Sequence, residues 1–189
     1  IPDVKKKKTG AWIFGERQGM SLDDSAWVLF KYCRNECPDL ECYFVINSAI
    51  ADQVPPEYRD ATLIKGSEEL QKTIGNASHI IFTDSAADIL DSVIGAYSLP
   101  DLNFIYLTHG YLGYFPGVYQ RDHQYIDYVL CTSNEDIVAA SEEWSFPVSK
   151  FIKTGLPRWD RLDDNHGSCR TEVLFCPTWR KSFEFEHWQ

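Results

Sequence analysis

The segment Asn103-Phe104-Ile105-Tyr106-Leu107-Thr108-His109-Gly110 decides the fold. Its first five residues form an unbroken, β-favouring apolar run that does not alternate with polar residues. A strand of that kind is buried on both faces, as in a parallel sheet covered by helices. The same pattern recurs along the chain. Ala11-Trp12-Ile13-Phe14, Cys42-Tyr43-Phe44-Val45-Ile46, Ala61-Thr62-Leu63-Ile64 and His79-Ile80-Ile81-Phe82-Thr83 precede it. Tyr128-Val129-Leu130-Cys131, Phe151-Ile152-Lys153-Thr154 and Glu172-Val173-Leu174-Phe175-Cys176 follow it.

Helical patterns separate these runs. Ser21-Leu22-Asp23-Asp24 reads as a helix start, because a Ser with an acid three residues later can satisfy orphan N–H groups. Ala26, Trp27, Leu29, Phe30 and Cys33 then recur at helical spacing. Pro38 should end that helix. Ser67-Glu68-Glu69-Leu70 opens a second helix, which Gly75 is expected to stop. Helices are also expected over 86–94 and 134–143. This β-then-α order predicts an α/β fold, a Rossmann-like parallel sheet with helices on both faces. Such sheets bind ligands beyond the carboxyl ends of their strands. There is no G-x-G-x-x-G and no Walker motif, which disfavours dinucleotide and P-loop enzymes.

The 189 residues are 44% hydrophobic and 14% aromatic, enough for a packed core. The formal charge of -10 argues against a nucleic-acid partner. Lys5, Lys6, Lys7 and Lys8 form the clearest basic cluster, either a plain solvated N-terminal run or a contact with an anionic membrane surface. The six cysteines show irregular spacing and no C-x-x-C, so no metal site is expected and reduced thiols are the default. No apolar run approaches the roughly 20 residues of a spanning helix. The chain starts at Ile1-Pro2 and stops at Trp188-Gln189, and we expect both ends to be boundaries within a longer protein.

His109 is the most informative candidate for chemistry. It follows a buried strand directly, and Gly110 permits close backbone approach there. A neutral imidazole at that edge can take a proton from an attacking hydroxyl. Thr154-Gly155-Leu156-Pro157-Arg158-Trp159-Asp160 forms a strand-to-helix turn with Pro at a first helical position. Arg158 there offers a planar fork for phosphate, against the plain reading of a surface pair with Asp160. Thr178 and Arg180, in Pro177-Thr178-Trp179-Arg180, could meet phosphate oxygens in an inter-domain cleft. Glu16 and Arg17 in Gly15-Glu16-Arg17-Gln18-Gly19 either form a salt-bridged loop or touch an acceptor substrate. Tyr111, Tyr114 and Phe115 could line an apolar groove or simply pack. His79 and His123 read as structural and surface residues, and the Asp23-Asp24 pair as a helix start.

Four segments in order resemble the CDP-glycerol glycerophosphotransferase family of teichoic acid polymerases and primases. They are Trp12-Ile13-Phe14-Gly15-Glu16-Arg17, His109-Gly110, Gly155-Leu156-Pro157-Arg158-Trp159-Asp160 and Val173-Leu174-Phe175-Cys176-Pro177-Thr178-Trp179-Arg180. The resemblance implies the N-terminal half of a GT-B transferase, two Rossmann-like domains facing across a cleft. It implies His109 as the base on the acceptor hydroxyl. Glu16, Arg17, Gly110, Arg158, Asp160, Thr178 and Arg180 would bind substrate. The implied partners are a CDP-activated polyol donor and a lipid-linked teichoic acid or capsular acceptor, with no cofactor and no metal. The implied location is cytoplasmic, peripheral on the inner face of the cell membrane. The family usually has Trp before His-Gly and Thr-Pro after it, where this chain has Thr108 and Tyr111-Leu112. The family's Gly-x-Pro-Arg-Asn-Asp stands here with Trp159 in place of Asn, keeping Arg158 and Asp160.

The polar stretch 163–168 is the expected linker. It divides a Rossmann-like acceptor-side domain over 1–165 from a linker and first strand of a donor domain over 166–189. The fragment is not expected to be active alone. Two other readings stay open: a sugar-nucleotide GT-B glycosyltransferase domain and a non-catalytic acceptor- or membrane-binding module.

Overall fold

The computed structural model describes residues 9–92, 94–108, 110 and 124–162. Seven strands form one sheet: β1 (Ala11–Gly15), β2 (Cys42–Ile46), β3 (Thr62–Ile64), β4 (Ala77–Phe82), β5 (Asn103–Leu107), β6 (Tyr128–Cys131) and β7 (Phe151–Lys153). The expected eighth run, 172–176, lies outside the described residues, as does the domain boundary near 165. Every pairing is parallel, in the order β3-β2-β1-β4-β5-β6-β7. The chain builds outward from β1 to β3, crosses back to place β4 beside β1, and then builds the other way. This is the doubly wound plan that the unbroken apolar runs predict.

Among the described residues, four helices cover the sheet: α1 (Ser25–Glu36), α2 (Glu68–Asn76), α3 (Ile94–Tyr97) and α4 (Asn134–Trp144). α1 lies on one face and the other three on the opposite face. The core divides accordingly. Trp27, Phe30 and Cys33 of α1 pack with Phe14, Phe44, Ile81 and Leu107 on one face. Leu70 of α2, Ala96 of α3 and Trp144 of α4 pack with Ile13, Phe82, Tyr106 and Val129 on the other. No helix among the described residues is long and apolar enough to cross a membrane.

Three local expectations are corrected. Within the expected start Ser21-Leu22-Asp23-Asp24 the cap is Asp24 and not Ser21: the Asp24 side chain accepts from the Ser25 N–H at 2.7 Å. Ser21 turns back instead and donates to Glu16 Oε1 at 3.1 Å. Gly75 does not end α2; the helix continues through Asn76 and closes with an Ala77 N–H bond to the Ile74 carbonyl. The helix expected over 86–94 is a 3-10 turn at Ala86–Asp88, with α3 starting only at Ile94. The Ser85 hydroxyl and the Asp88 carboxylate bond local backbone N–H groups there, and such bonds compete with a continuing helix.

Candidate active site

The order of the strands reverses between β1 and β4, where doubly wound sheets usually open a ligand crevice. Here the crevice is filled from within. The buried Asp88 carboxylate accepts from the Gln18 N–H at 2.8 Å, the Asp84 N–H at 2.9 Å and the Thr83 N–H at 3.2 Å. Burial pushes its carboxyl above the usual carboxylate range, against those backbone donors. A Cβ on Gly15 would lie 2.6 Å from Ile89 Cγ1, so the β1 end and this turn are in direct contact. Backbone donors that hold a nucleotide phosphate in dinucleotide enzymes hold a side chain here.

Glu16 is fully buried. Its Oε1 accepts from the N–H groups of Asp23 and Asp24, both at 2.9 Å, and Oε2 from the Trp27 N–H at 3.1 Å. The carboxylate therefore satisfies the orphan donors at the start of α1. The substrate contact expected of Glu16 gives way to this capping role. Its carboxyl is pushed up by burial, against the pull of those N–H groups and of the Ser21 hydroxyl.

Arg17 and Gln18 adopt left-handed backbone, φ 46° and 55°. Non-glycine residues in that region carry strain that clusters at functional sites. Hydrogen bonds hold the turn, from Gly19 N–H to the Glu16 carbonyl and from Asn47 N–H to the Gly19 carbonyl, both at 2.8 Å. Arg17 reaches Asp24 Oδ2 at 3.6 Å and remains 60% exposed.

The other flank of the site comes from the loop after β7. Thr154 and Gly155 both bond the Cys131 carbonyl at 3.1 Å, and Gly155 turns the chain with φ +80°. The 3-10 turn Pro157–Arg161 then packs on α1. The Arg158–Asp160 pair of the plain reading is corrected: among the described residues Arg158 pairs with Asp24, with Nη1 to Oδ1 at 3.2 Å. Arg161 Nη1 donates to the Asp23 carbonyl at 2.7 Å. Asp160 is exposed and lines a cavity of about 300 Å³ with Thr154, Gly155, Leu156, Val28 and Tyr32.

β5 lies midway between β1 and β7, so the chain leaving it enters the centre of this edge. Thr108 is buried and its hydroxyl donates to the Leu130 carbonyl at 2.9 Å. Gly110 is half-buried, and a Cβ there would meet nothing within 4 Å. His109, Tyr111, Tyr114, Phe115, His123, Thr178, Arg180 and the Lys5–Lys8 run lie outside the described residues. His79 is a bridge inside the sheet, with Nδ1 at 2.8 Å from the Ser78 hydroxyl and Nε2 at 3.2 Å from Asn103 Nδ2.

Sequence reasoning placed Asp24 at a helix start, as found, but missed its arginine partners, and it missed Asp88. Asp24 had a visible signal, since it sits eight residues after Glu16 at a helix start, but its arginine partners come from loops distant in sequence. Among the described residues, no three His, Cys, Asp or Glu side chains lie close enough to hold a metal.

The family model described as CDP-Glycerol:Poly(glycerophosphate) glycerophosphotransferase matches residues 3–188. Several solved structures of the wall teichoic acid polymerase TagF share the fold. A histidine-to-alanine variant matches with TM-score 0.62 and 16% identity, covering 80% of this chain and 39% of that one. A further TagF structure matches with TM-score 0.60 and 15% identity, covering 79% and 39%. A histidine-to-asparagine variant soaked with CDPG gives 0.61 and 15%, covering 82% and 41%. At such identity the likeness is one of fold, and the chain spans about two fifths of those polymerase chains. No curated protein matches the sequence.

Proposed function

The chain belongs to the CDP-Glycerol:Poly(glycerophosphate) glycerophosphotransferase family, and from that premise we propose that it is the acceptor-side, N-terminal half of a GT-B transferase. The transferase adds glycerol phosphate from CDP-glycerol to a lipid-linked teichoic acid or capsular chain. The single observation carrying this reading is the family match over nearly the whole chain, from residue 3 to residue 188. The doubly wound parallel sheet supports it. So does the filled crevice at Asp88, which leaves a nucleotide donor to be bound outside this domain.

The chemistry follows from the residues. The acceptor hydroxyl oxygen forms a bond to the phosphorus that carries glycerol. The bond from that phosphorus to the bridging oxygen breaks, and CMP leaves with that oxygen. The hydroxyl proton passes to the His109 imidazole. Catalysis of phosphoryl transfer is mostly positioning and charge stabilisation, which falls to Arg158 and Arg180, with Thr178 as a further phosphate contact. Asp160 is exposed beside the cavity and suits a polyol hydroxyl. A lipid-linked acceptor places the reaction at the inner face of the membrane, and the Lys5–Lys8 run favours anionic head groups.

The test uses the full-length protein with CDP-glycerol and a lipid-linked glycerol phosphate acceptor, following CMP release. The wild type should release CMP and lengthen the acceptor. His109→Ala should slow transfer by roughly 10²–10⁴-fold without unfolding the protein. Consumption of UDP- or GDP-sugars in place of CDP-glycerol would overturn the donor assignment, and near-wild-type turnover by His109→Ala would remove the base.

A further inference from the structure

The ion pairs of Asp24 go beyond what a helix start requires. One side-chain oxygen is enough to cap a helix, and Ser, Thr or Asn serve as well as Asp. Asp24 is only 4% exposed, and its carboxylate meets two arginines as well as the Ser25 N–H. A carboxylate, with two oxygens and a full negative charge, suits two guanidinium groups at once. The arginines come from opposite flanks of the same sheet edge, Arg17 from the loop after β1 and Arg158 from the loop after β7. The end of β5 lies between them.

Burial grades outward across this cluster. The carboxylate is enclosed, while Arg158 is 33% and Arg17 60% exposed. The anion thus sits behind, and the two planar cations stand in front of it toward solvent. A guanidinium presents N–H groups in a rigid fork that fits phosphate oxygens. Arg161, bonded to the Asp23 carbonyl, fastens the turn that carries Arg158. The acids Asp23 and Asp160 lie close by, so long-range attraction cannot select the ligand. Contact geometry must do so, which makes the placement of the two arginines decisive.

We propose that Asp24 is a positioning residue that holds Arg158 and Arg17 together as a clamp for a substrate phosphate. The proposal rests on the transferase reading above. Two phosphates have the right chemistry, those of the acceptor chain and the diphosphate of the donor.

The variant Asp24→Asn keeps the cap and the side-chain shape while removing the charge. Steady-state kinetics of the full-length enzyme are measured by varying the glycerol phosphate acceptor and CDP-glycerol separately, with thermal melts alongside. We expect KM for one of the two substrates to rise about tenfold, the scale of one charge-assisted contact, with kcat falling as well because Arg158 also steadies the transferring phosphate, and with melting temperature little changed. A rise for the acceptor alone assigns the clamp to the growing chain; a rise for CDP-glycerol alone assigns it to the donor. Asp24→Asn added to Arg158→Lys should cost clearly less than the sum of the two single losses, because both act in part through the Arg158 contact. Unchanged KM values with a lowered melting temperature, or fully additive losses, would overturn the proposal and leave Asp24 a brace for the fold. Wild-type inactivity would refute the transferase reading instead. In that event calorimetry with a glycerol phosphate oligomer decides: binding about tenfold weaker in Asp24→Asn supports the clamp, and equal or absent binding overturns it.

Discussion

Replacing Glu16 by Ala tests whether this residue holds the fold or meets a substrate. The carboxylate accepts from three backbone N–H groups and the Ser21 hydroxyl. The bonds from the Asp24 and Trp27 N–H groups are buried. A buried donor left without an acceptor costs about 1–3 kcal/mol, so two cost about 2–6 kcal/mol. Releasing a buried carboxylate returns part of this, which leaves an expected loss of about 3 kcal/mol. For a domain of this size that is a fall in Tm of roughly 6–12 °C. Glu16→Gln should lose less, since one oxygen remains, although its amide must turn a donor toward another donor. Urea unfolding followed by tryptophan fluorescence reads both, because Trp27 sits in the first turn of α1. The pH dependence has a definite sign. Burial raises the Glu16 carboxyl above its ordinary 4.5 in the folded protein. Its stabilising contribution is then fully present below the unfolded value and is lost as pH rises through the folded one. Gln cannot titrate, so the wild type should gain on Glu16→Gln as pH falls toward 4.5. An Ala variant within about 0.5 kcal/mol of wild type, the scatter of ordinary surface substitutions, would refute the capping role.

Asp88→Ala should cost about 2–4 kcal/mol by freeing the N–H groups of Gln18, Thr83 and Asp84, read as a lowered urea midpoint. An unchanged midpoint would mean that water replaces the carboxylate and the crevice is open. Gly155→Ala should cost about 1 kcal/mol, since φ is +80° and the added Cβ would lie 3.3 Å from the Trp159 ring; the melting temperature checks it. Cys33, Cys42 and Cys131 are buried, with thiols pushed up by burial to about 11, about 12 and about 12. In alkylation at pH 8 followed by peptide mass spectrometry, they should label more slowly than the half-buried Cys37. Equal labelling would mean that the core opens on the reagent's timescale.

The apolar runs alone specified the class of fold. Runs such as Phe104-Ile105-Tyr106-Leu107 suit burial on both faces, and their alternation with helical patterns points to a parallel sheet between helices. The seven runs up to residue 154 are the seven strands, and Pro38 marks the end of α1. Local detail was less legible where side chains answer to the backbone. Ser85 and Asp88 broke a helix that periodicity predicts, and Gly75 was passed over because α2 needed no left-handed cap.

For the site, the sequence supplied the residue types and marked the turn after the last described strand as the place of Arg158. Tertiary structure alone decided the pairings. Arg158 meets Asp24 across 134 positions of chain, and Gln18 meets Asp88 across 70. Periodicity and short-range spacing reach only a few residues along an element. Which loop of a parallel sheet faces which is set by strand order, and that order exists only once the whole sheet has folded.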